Sequence, residues 1–352
     1  MNPRLLLVAF GVAACAPAAN EPAAAGAALP TWTWDSTLIF PRDGSLNRPE
    51  DGIALSDGRL IVADQVAGLR IIDSDGTSRP FGDLPGLGYT HHPPEHNGGA
   101  NGVSLEPNGT HLLVADIFGG AIYRVGVATG ASEKVYQHQY GINTAVRDSK
   151  GAIWFTQSAH NTPAEGEPRL WAAVEVARPE GALYRIPFQE GRPGTAQLLA
   201  DSLLLANGIA LDEGAGYLYL SETTGGRVLR FRLDVEAGTI SDRTVFVDSV
   251  AVDNLELDGG GHLWMAVPLT NELLVVNTVT GTRHSAFRQH TPEQAAIVAE
   301  FLRRGETNSP RMDLFTPALW APLPAPITGV IVGQAGPVFA TSLGNALLKL
   351  PR

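Results

Sequence analysis

Six polar residues recur at the start of a repeated two-strand pattern, and their side chains could bind a hard metal ion. They are Glu50, Asn101, Asn143, Asn207, Asp253 and Thr328. Two carboxylates and three amides offer oxygen ligands, with no Cys or His among them, which suits calcium and argues against zinc or copper. Calcium takes about six to eight oxygens, so water or substrate would complete its shell. Taken singly, an Asn-Gly pair before a strand could instead form only a turn.

The elements that would position these residues follow the same repeat. Each copy runs from the polar residue through an alternating apolar stretch and a Gly-containing turn to a second strand, as in 101–116 and 207–221. A further hairpin follows most copies, and two hairpins make a four-stranded blade. Six copies therefore predict an all-β fold, a six-bladed β-propeller whose first strands lie nearest the axis. The 39 glycines, 25 prolines and 17% charged residues agree with many short strands.

The final copy lacks a fourth strand before residue 352. The strand-like stretch from Trp32 to Phe40 is expected to complete that blade and close the ring, because an open ring leaves an unpaired sheet edge. The predicted propeller domain thus covers residues 31–352.

Long insertions at about 81–100, 157–181 and 290–327 fall on the face where the polar residues begin, and loops gathered on one face typically build a pocket. One insertion predicts a helix from Thr291 to Arg304, with a capping box to Gln294 and a stop at Gly305. This helix either packs on the disc or acts as a lid. Histidines in the near-face loops either line the entrance or are solvated; they are His91, His92, His96 and His160.

The amino terminus predicts export. Arg4 and the apolar run 5–12 precede Val12-Ala13-Ala14-Cys15, which resembles a bacterial lipobox. We therefore predict a lipoprotein signal peptide over 1–15 and acylation of Cys15, the only cysteine. An Ala- and Pro-rich flexible linker over 16–30 would follow.

The predicted product is a lipoprotein that faces the periplasm or the cell exterior and contacts the membrane through its lipid anchor only. The alternative is cleavage within 16–19, which would release a soluble secreted protein. The net charge is −11, and the sequence contains no cluster of Lys and Arg residues that could bind a phosphate backbone. This composition excludes a nucleic-acid partner.

The polar set, in its order and at blade spacing, resembles the calcium-dependent propeller hydrolases that include gluconolactonase (senescence marker protein) and paraoxonase-type arylesterases. The segments that carry the resemblance are Glu50-Asp51, Asn143, Ala206-Asn207-Gly208-Ile209 and Val252-Asp253-Asn254-Leu255 followed by Leu263-Trp264. The resemblance implies a catalytic calcium ion bound by Glu50, Asn143, Asn207, Asp253 and Asn254.

Two positions depart from the paraoxonase pattern. Thr144 stands where paraoxonases have a second Asp, so a second, structural calcium beside Asp51 is not expected. Asn101 stands where they have a pocket histidine, which favours the lactonase side of the resemblance.

The implied activity is calcium-dependent hydrolysis of a small lactone or aryl ester. The cation would polarise the carbonyl, Asp253 would act as the base, and Asn101 and His160 would lie in the substrate pocket. A Gly-x-Ser-x-Gly nucleophile elbow is absent from the sequence, which argues against a serine hydrolase. The alternative function is a non-catalytic exported propeller that binds a glycan, peptide or protein partner.

Overall fold

The computed structural model describes residues 28–92, 98–189, 191–333 and 336–351, and its six four-stranded antiparallel sheets confirm the predicted propeller. The amino-terminal strand is β1 (Ile39–Phe40). The first blade comprises β2 (Gly52–Ala54), β3 (Leu60–Asp64), β4 (Gly68–Ile72) and β5 (Ser78–Pro80). The second comprises β6 (Ala100–Leu105), β7 (His111–Asp116), β8 (Ala121–Gly126) and β9 (Ser132–Gln137).

The third blade carries an additional hairpin, β13 (Phe188–Gln189) with β14 (Arg192–Pro193). Its four main strands are β10 (Ala145–Arg147), β11 (Ile153–Gln157), β12 (Gly181–Ile186) and β15 (Gln197–Leu203). The fourth blade comprises β16 (Ala206–Asp212), β17 (Tyr217–Glu222), β18 (Arg227–Asp234) and β19 (Thr239–Asp248).

The fifth blade comprises β20 (Leu255–Leu257), β21 (His262–Val267), β22 (Glu272–Asn277) and β23 (Arg283–Arg288). The sixth combines β24 (Ile327–Val332), β25 (Val338–Ser342) and β26 (Leu347–Leu350) with β1. The ring is therefore closed by the amino-terminal strand, as predicted.

The closing strand is shorter than predicted. Only β1 pairs with β26, in the register Ile39↔Leu348. Ser36–Leu38 forms a 3-10 helix instead, because the side chain of Asp35 caps it by accepting from the Thr37 amide at 2.7 Å. Leu29, within the predicted linker, packs against the apolar cluster of the fifth and sixth blades.

Gly-containing turns connect the first two strands of the blades. Gly58 and Gly109 have φ of +87° and +70°, a left-handed conformation that glycine adopts without a Cβ clash. In the second of these turns, Asn108 Oδ1 accepts a hydrogen bond from the Thr110 amide at 2.9 Å. These local contacts fix the hairpins at the places where the sequence predicted them.

Apolar side chains pack between neighbouring blades and hold the inner strands in place. Between the first and second blades, Ile61 and Ile71 lie in one fully buried cluster with Leu112 and Val114. Each such side chain contributes about 1.5–3 kcal/mol when it is buried. The layers between blades therefore stabilise the disc and set the positions of the strands that surround the axis.

The long insertions contain helices α1 (Gly166–Glu175), α2 (Pro292–Glu306) and α3 (Pro317–Trp320). The predicted capping box of α2 is present, since Thr291 and Gln294 hydrogen bond reciprocally. The prediction that Gly305 stops the helix was wrong, because α2 continues to Glu306. A Cβ at Gly305 would lie 2.1 Å from Nη1 of Arg311, so the glycine permits that close approach.

Helix α1 was not predicted from the sequence, and its N-cap residue, Glu165, makes no side-chain capping bond. Within the described ranges, no helix is both long and apolar enough to cross a bilayer.

Candidate metal centre

The polar residues at the strand starts line a single cavity at the axis of the disc. Every one of them is more than nine-tenths buried; they are Glu50, Asn101, Asn143, Asn207, Asp253 and Thr328. The repeat in the sequence therefore corresponds to a ring of side chains in space, and we call these six residues the axial ring.

The glycine after an axial-ring residue allows neighbouring inner strands to approach closely. A Cβ at Gly102 would lie 2.7 Å from Cα of Thr144, and one at Gly208 would lie 2.7 Å from the backbone nitrogen of Leu255. Both glycines lie inside strands, in β6 and β16. The turn interpretation of Asn101-Gly102 and Asn207-Gly208 was thus wrong, because these pairs bring ring residues of adjacent blades together.

Hydroxyl groups on the second strands hold the backbone of the axial ring. Thr341 in β25 donates to the carbonyl of Glu50 at 2.6 Å. Thr156 in β11 does the same for Asn207, and Ser221 in β17 for Asp253, each at 2.6 Å. Each hydroxyl comes from the blade that precedes the ring residue around the disc. In the sequence these hydroxyl residues lie at the carboxyl end of the repeated two-strand pattern, as Ser221 does in 207–221.

Three axial-ring oxygens are buried without any hydrogen-bond partner, namely Glu50 Oε2, Asn207 Oδ1 and Asp253 Oδ1. Leaving a buried acceptor unpaired costs about 1–3 kcal/mol, and more when the group is charged. A cation would satisfy all three oxygens together. The fourth predicted ligand, Asn143, accepts from the Thr144 hydroxyl through Oδ1 at 3.0 Å, which leaves one lone pair of that oxygen available.

The two ring carboxylates interact electrostatically. Burial raises the pKa of Asp253 well above its ordinary value, the charge of Glu50 raises it further, and a hydrogen bond with Asn207 opposes the shift. Burial also raises the pKa of Glu50, against the opposing charge of Arg48. Two acids in one desolvated site favour a bound positive charge.

The donor set fits a hard divalent ion. It contains only carboxylate and amide oxygens, which calcium prefers. Among the described residues, no group of three or more His, Cys, Asp or Glu is placed to hold a metal, so the amides of Asn143 and Asn207 are needed to complete the set.

Asn254 lies beside the axial ring, outside the wall of the cavity. Its amide nitrogen faces the carbonyl of Glu50 at 3.5 Å, and its Oδ1 faces the hydroxyl of Thr144 at the same distance. Because these contacts are long, the side-chain oxygen of Asn254 remains able to bind a metal ion. Asn254 therefore stays a predicted ligand.

Two further carboxylates lie close to the ring residues in the sequence, and backbone amides bind both. Asp51 Oδ2 accepts from the Val103 amide at 2.9 Å, and burial raises the pKa of Asp51 to about 7. Glu256 Oε2 accepts from the Val332 amide at 2.8 Å, and burial raises the pKa of Glu256 well above its ordinary value.

The empty space above the axial ring, together with the open solvent at its mouth, amounts to about 900 Å³. Asn101 lines it and stays a predicted substrate-pocket residue. His160 is exposed outside this wall, where its ring stacks on Tyr140 at 4.6 Å. His91 accepts from the Gly98 amide, and His96 lies outside the described residues.

Sequence reasoning missed Arg48, which lines the cavity two residues before Glu50. Its Nη1 lies 2.9 Å from Glu167 Oε1 on α1, and its φ of +52° is left-handed. Because its partner is more than a hundred residues away, no local pattern indicates this contact.

Closed four-stranded blades around a polar axial site define the class of the protein as a six-bladed β-propeller. Comparison with known proteins then shows which family part of the chain is similar to. A model of the SMP-30/gluconolactonase/LRE-like region matches residues 127–297, a segment that contains Asn143, Asn207 and Asp253. This segment is therefore similar to the family that the motifs resemble.

Solved structures share the fold. A gluconolactonase from Xanthomonas campestris is 21% identical, with 87% of each chain covered and a TM-score of 0.57. A calcium-binding regucalcin from Agrobacterium tumefaciens is 14% identical, with 91% of this chain and 95% of the other covered and a TM-score of 0.58.

Curated relatives match over shorter lengths. Pentonolactonase XacC of Haloferax volcanii is 24% identical over 195 residues, which is 47% of this chain and 65% of that protein. Hemomucin of Drosophila melanogaster is also 24% identical, over 48% of this chain and 29% of the relative. The matched segments thus span less than two thirds of these relatives.

Proposed function

We propose that this protein hydrolyses lactones or carboxylic esters at the axial ring and needs a calcium ion there. The observation that carries the proposal is the group of three buried, unpartnered oxygens on Glu50, Asn207 and Asp253. A gluconolactonase and a pentonolactonase among the similar proteins support the same activity.

Glu50, Asn143, Asn207 and Asp253 would hold the ion, and Asn254 is the further predicted ligand. A cation bound there would supply Lewis-acid polarisation of the substrate carbonyl and stabilise the charge that develops on its oxygen. The hydroxyls of Thr156, Ser221 and Thr341 fix the backbone of three ligand residues, so the oxygens need little rearrangement.

We assign to Asp253 the role of general base, following the family resemblance. Its carboxylate lies in the axial ring with Glu50, and burial raises the pKa of Asp253, which makes the carboxylate a stronger base. Asp253 would take a proton from water as that water attacks the carbonyl. Asn101 lies in the same axial ring, where its side chain could contact the bound substrate.

The experiment is a panel of lactones and aryl esters assayed with EDTA and then with added calcium. Hydrolysis should disappear with the chelator and return with calcium. An Asp253→Asn variant keeps an amide oxygen as ligand but removes the base, so it should lose activity by about 100-fold or more. Full activity in EDTA would contradict the proposal.

Inactivity across the whole panel, despite calcium-dependent thermal stabilisation, would instead support the alternative of a binding propeller. Glu236→Gln is a matched control for removal of a carboxylate, since the side chain of Glu236 is 77% exposed and Glu236 is not a cavity-lining residue. This control should retain the activity of the unmodified protein.

A further inference from the structure

The cavity above the axial ring has walls of a different chemical character from its floor. Two helices supply part of the walls. Their cavity-lining residues are Leu170, Trp171 and Val174 from α1, and Phe301 and Leu302 from α2. Apolar residues from the connecting loops, such as Leu269 and Phe315, extend the same surface. The floor of the site is thus polar, and the walls are mainly hydrocarbon.

The polar side chains in these walls are largely engaged with the protein itself. Ser158 donates its hydroxyl to the carbonyl of Ala206 at 2.7 Å, and Thr223 donates to that of Val252 at 2.8 Å. Thr224 Oγ1 and Arg311 Nη2 are the exceptions, because both atoms are buried without a partner. Few wall donors or acceptors are therefore free to bind the hydroxyls of a sugar.

The two charged wall residues hold the helices in place. Arg48 binds Glu167 on α1, and Trp171 donates to the same carboxylate at 2.9 Å. Arg311 donates through Nε to the carbonyl of Val174 at 2.9 Å, and its guanidinium lies 4.5 Å from the ring centroid of Phe301. Arg311 thereby connects α1 to α2. These contacts fix the two helices whose apolar side chains line the cavity.

We infer that the substrates of this site are lactones or esters that carry an apolar alkyl or acyl group, in preference to polyhydroxylated sugar lactones. This inference rests on the proposed hydrolytic function. A sugar lactone would lose water from each hydroxyl on entering, and an unpaired polar group costs free energy in an apolar pocket. An alkyl chain would gain from contact with α1 and α2.

The first test compares kcat/KM, with calcium present, for D-glucono-δ-lactone and for δ-lactones from hexanolactone to dodecanolactone. We expect an increase of up to roughly fourfold for each buried methylene, and poor hydrolysis of the glucono-lactone. A preference for the glucono-lactone, or no dependence on chain length, would overturn the inference and leave the proposed function intact. Hydrolysis of none of these compounds would overturn the proposed function as well.

A second test locates the selectivity in the walls. Leu302 lies in the cavity wall and is 46% exposed, so Leu302→Gln should fold normally. It should lower the ratio of kcat/KM for dodecanolactone to that for hexanolactone by about threefold. Leu198→Gln is the matched control, because Leu198 is 51% exposed on the outer strand β15. Equal ratios in the two variants would contradict the inference.

A binding measurement that needs no turnover completes the test. Alkyl-substituted cyclopentanones resemble alkyl lactones but cannot be hydrolysed, and calorimetry can follow their binding to EDTA-treated protein. Affinity should rise with the length of the alkyl chain, and Leu302→Gln should reduce that rise while Leu198→Gln does not. Affinity independent of the alkyl chain would exclude the apolar walls as the binding surface.

Discussion

The hydroxyl of Thr341 donates a hydrogen bond to the backbone carbonyl of Glu50 at 2.6 Å, although 291 positions separate the two residues in the chain. The bond joins the last blade to the first and fixes a predicted calcium ligand. Equivalent bonds from Thr156 to Asn207 and from Ser221 to Asp253 show that this is a repeated feature of the ring. Closure of the propeller and assembly of the axial site are therefore connected.

Thr341→Val should weaken calcium binding by about 10- to 100-fold, the usual effect of losing a group that orients a ligand. Valine keeps the shape of threonine, and Thr328 still donates to the Glu50 carbonyl at 3.2 Å. The loss of unfolding free energy should therefore be only about 1 kcal/mol. Calcium titration by calorimetry and a chemical denaturation curve measure the two quantities.

Thr244→Val is the control for this substitution. Thr244 also donates to a backbone carbonyl, that of Arg230 at 3.2 Å, but on the exposed outer strand β19. Its calcium affinity should equal that of the unmodified protein. An unchanged affinity in Thr341→Val would show that the hydroxyl does not position Glu50.

His138 should make the fold less stable in mild acid. Burial lowers the pKa of His138, while its hydrogen bond with Gln157 opposes this shift. As pH falls below about 6.5, the unfolded state binds the proton first, so stability is lost progressively until the folded pKa is passed. A phenylalanine at position 138 would fit the aromatic surroundings of the His138 ring. These include the rings of Tyr184, with its centroid at 4.9 Å, and Phe155, with its centroid at 5.2 Å.

His138→Phe should accordingly reduce the fall in Tm between pH 7.5 and 5. Above pH 7 the variant should be less stable by about 1 kcal/mol, because Gln157 Oε1 loses the partner it has at 3.0 Å. Thermal melts of both proteins across this pH range provide the comparison. Parallel curves would show that His138 does not contribute to the acid sensitivity.

We also propose export and lipid anchoring through Cys15, which lies outside the described residues. In a bacterial host, the unmodified protein should incorporate labelled fatty acid and enter the detergent phase of a Triton X-114 extraction. Cys15→Ser should do neither, because serine lacks the thiol that carries the lipid. A soluble unmodified protein with its amino terminus within residues 16–19 would support the alternative of a secreted form.

The blades and the axial ring could be predicted because one short pattern encodes both of them. A polar residue followed by an alternating strand marks the start of each blade, and symmetry then brings the six starts together. The start of α2 could be predicted equally well from its capping box, since Thr291 and Gln294 lie close together in the sequence.

The rest of the site depends on contacts between distant segments. Helix α1 has no side-chain cap, and it is held by Arg48 and Arg311, which follow no local rule. The expectation that His160 lines the pocket rested on its loop alone, whereas stacking on Tyr140 places its ring outside the cavity wall. The character of the cavity walls could therefore be seen only in the folded chain.

The most direct test of the central claim is a calorimetric titration of EDTA-treated protein with calcium. We predict one ion for each chain, and at least about tenfold weaker binding in Glu50→Gln and in Asp253→Asn, because each change removes a charged ligand. Glu236→Gln should bind like the unmodified protein. No calcium binding, or binding unchanged in both ring variants, would contradict the proposal that the axial oxygens hold a cation.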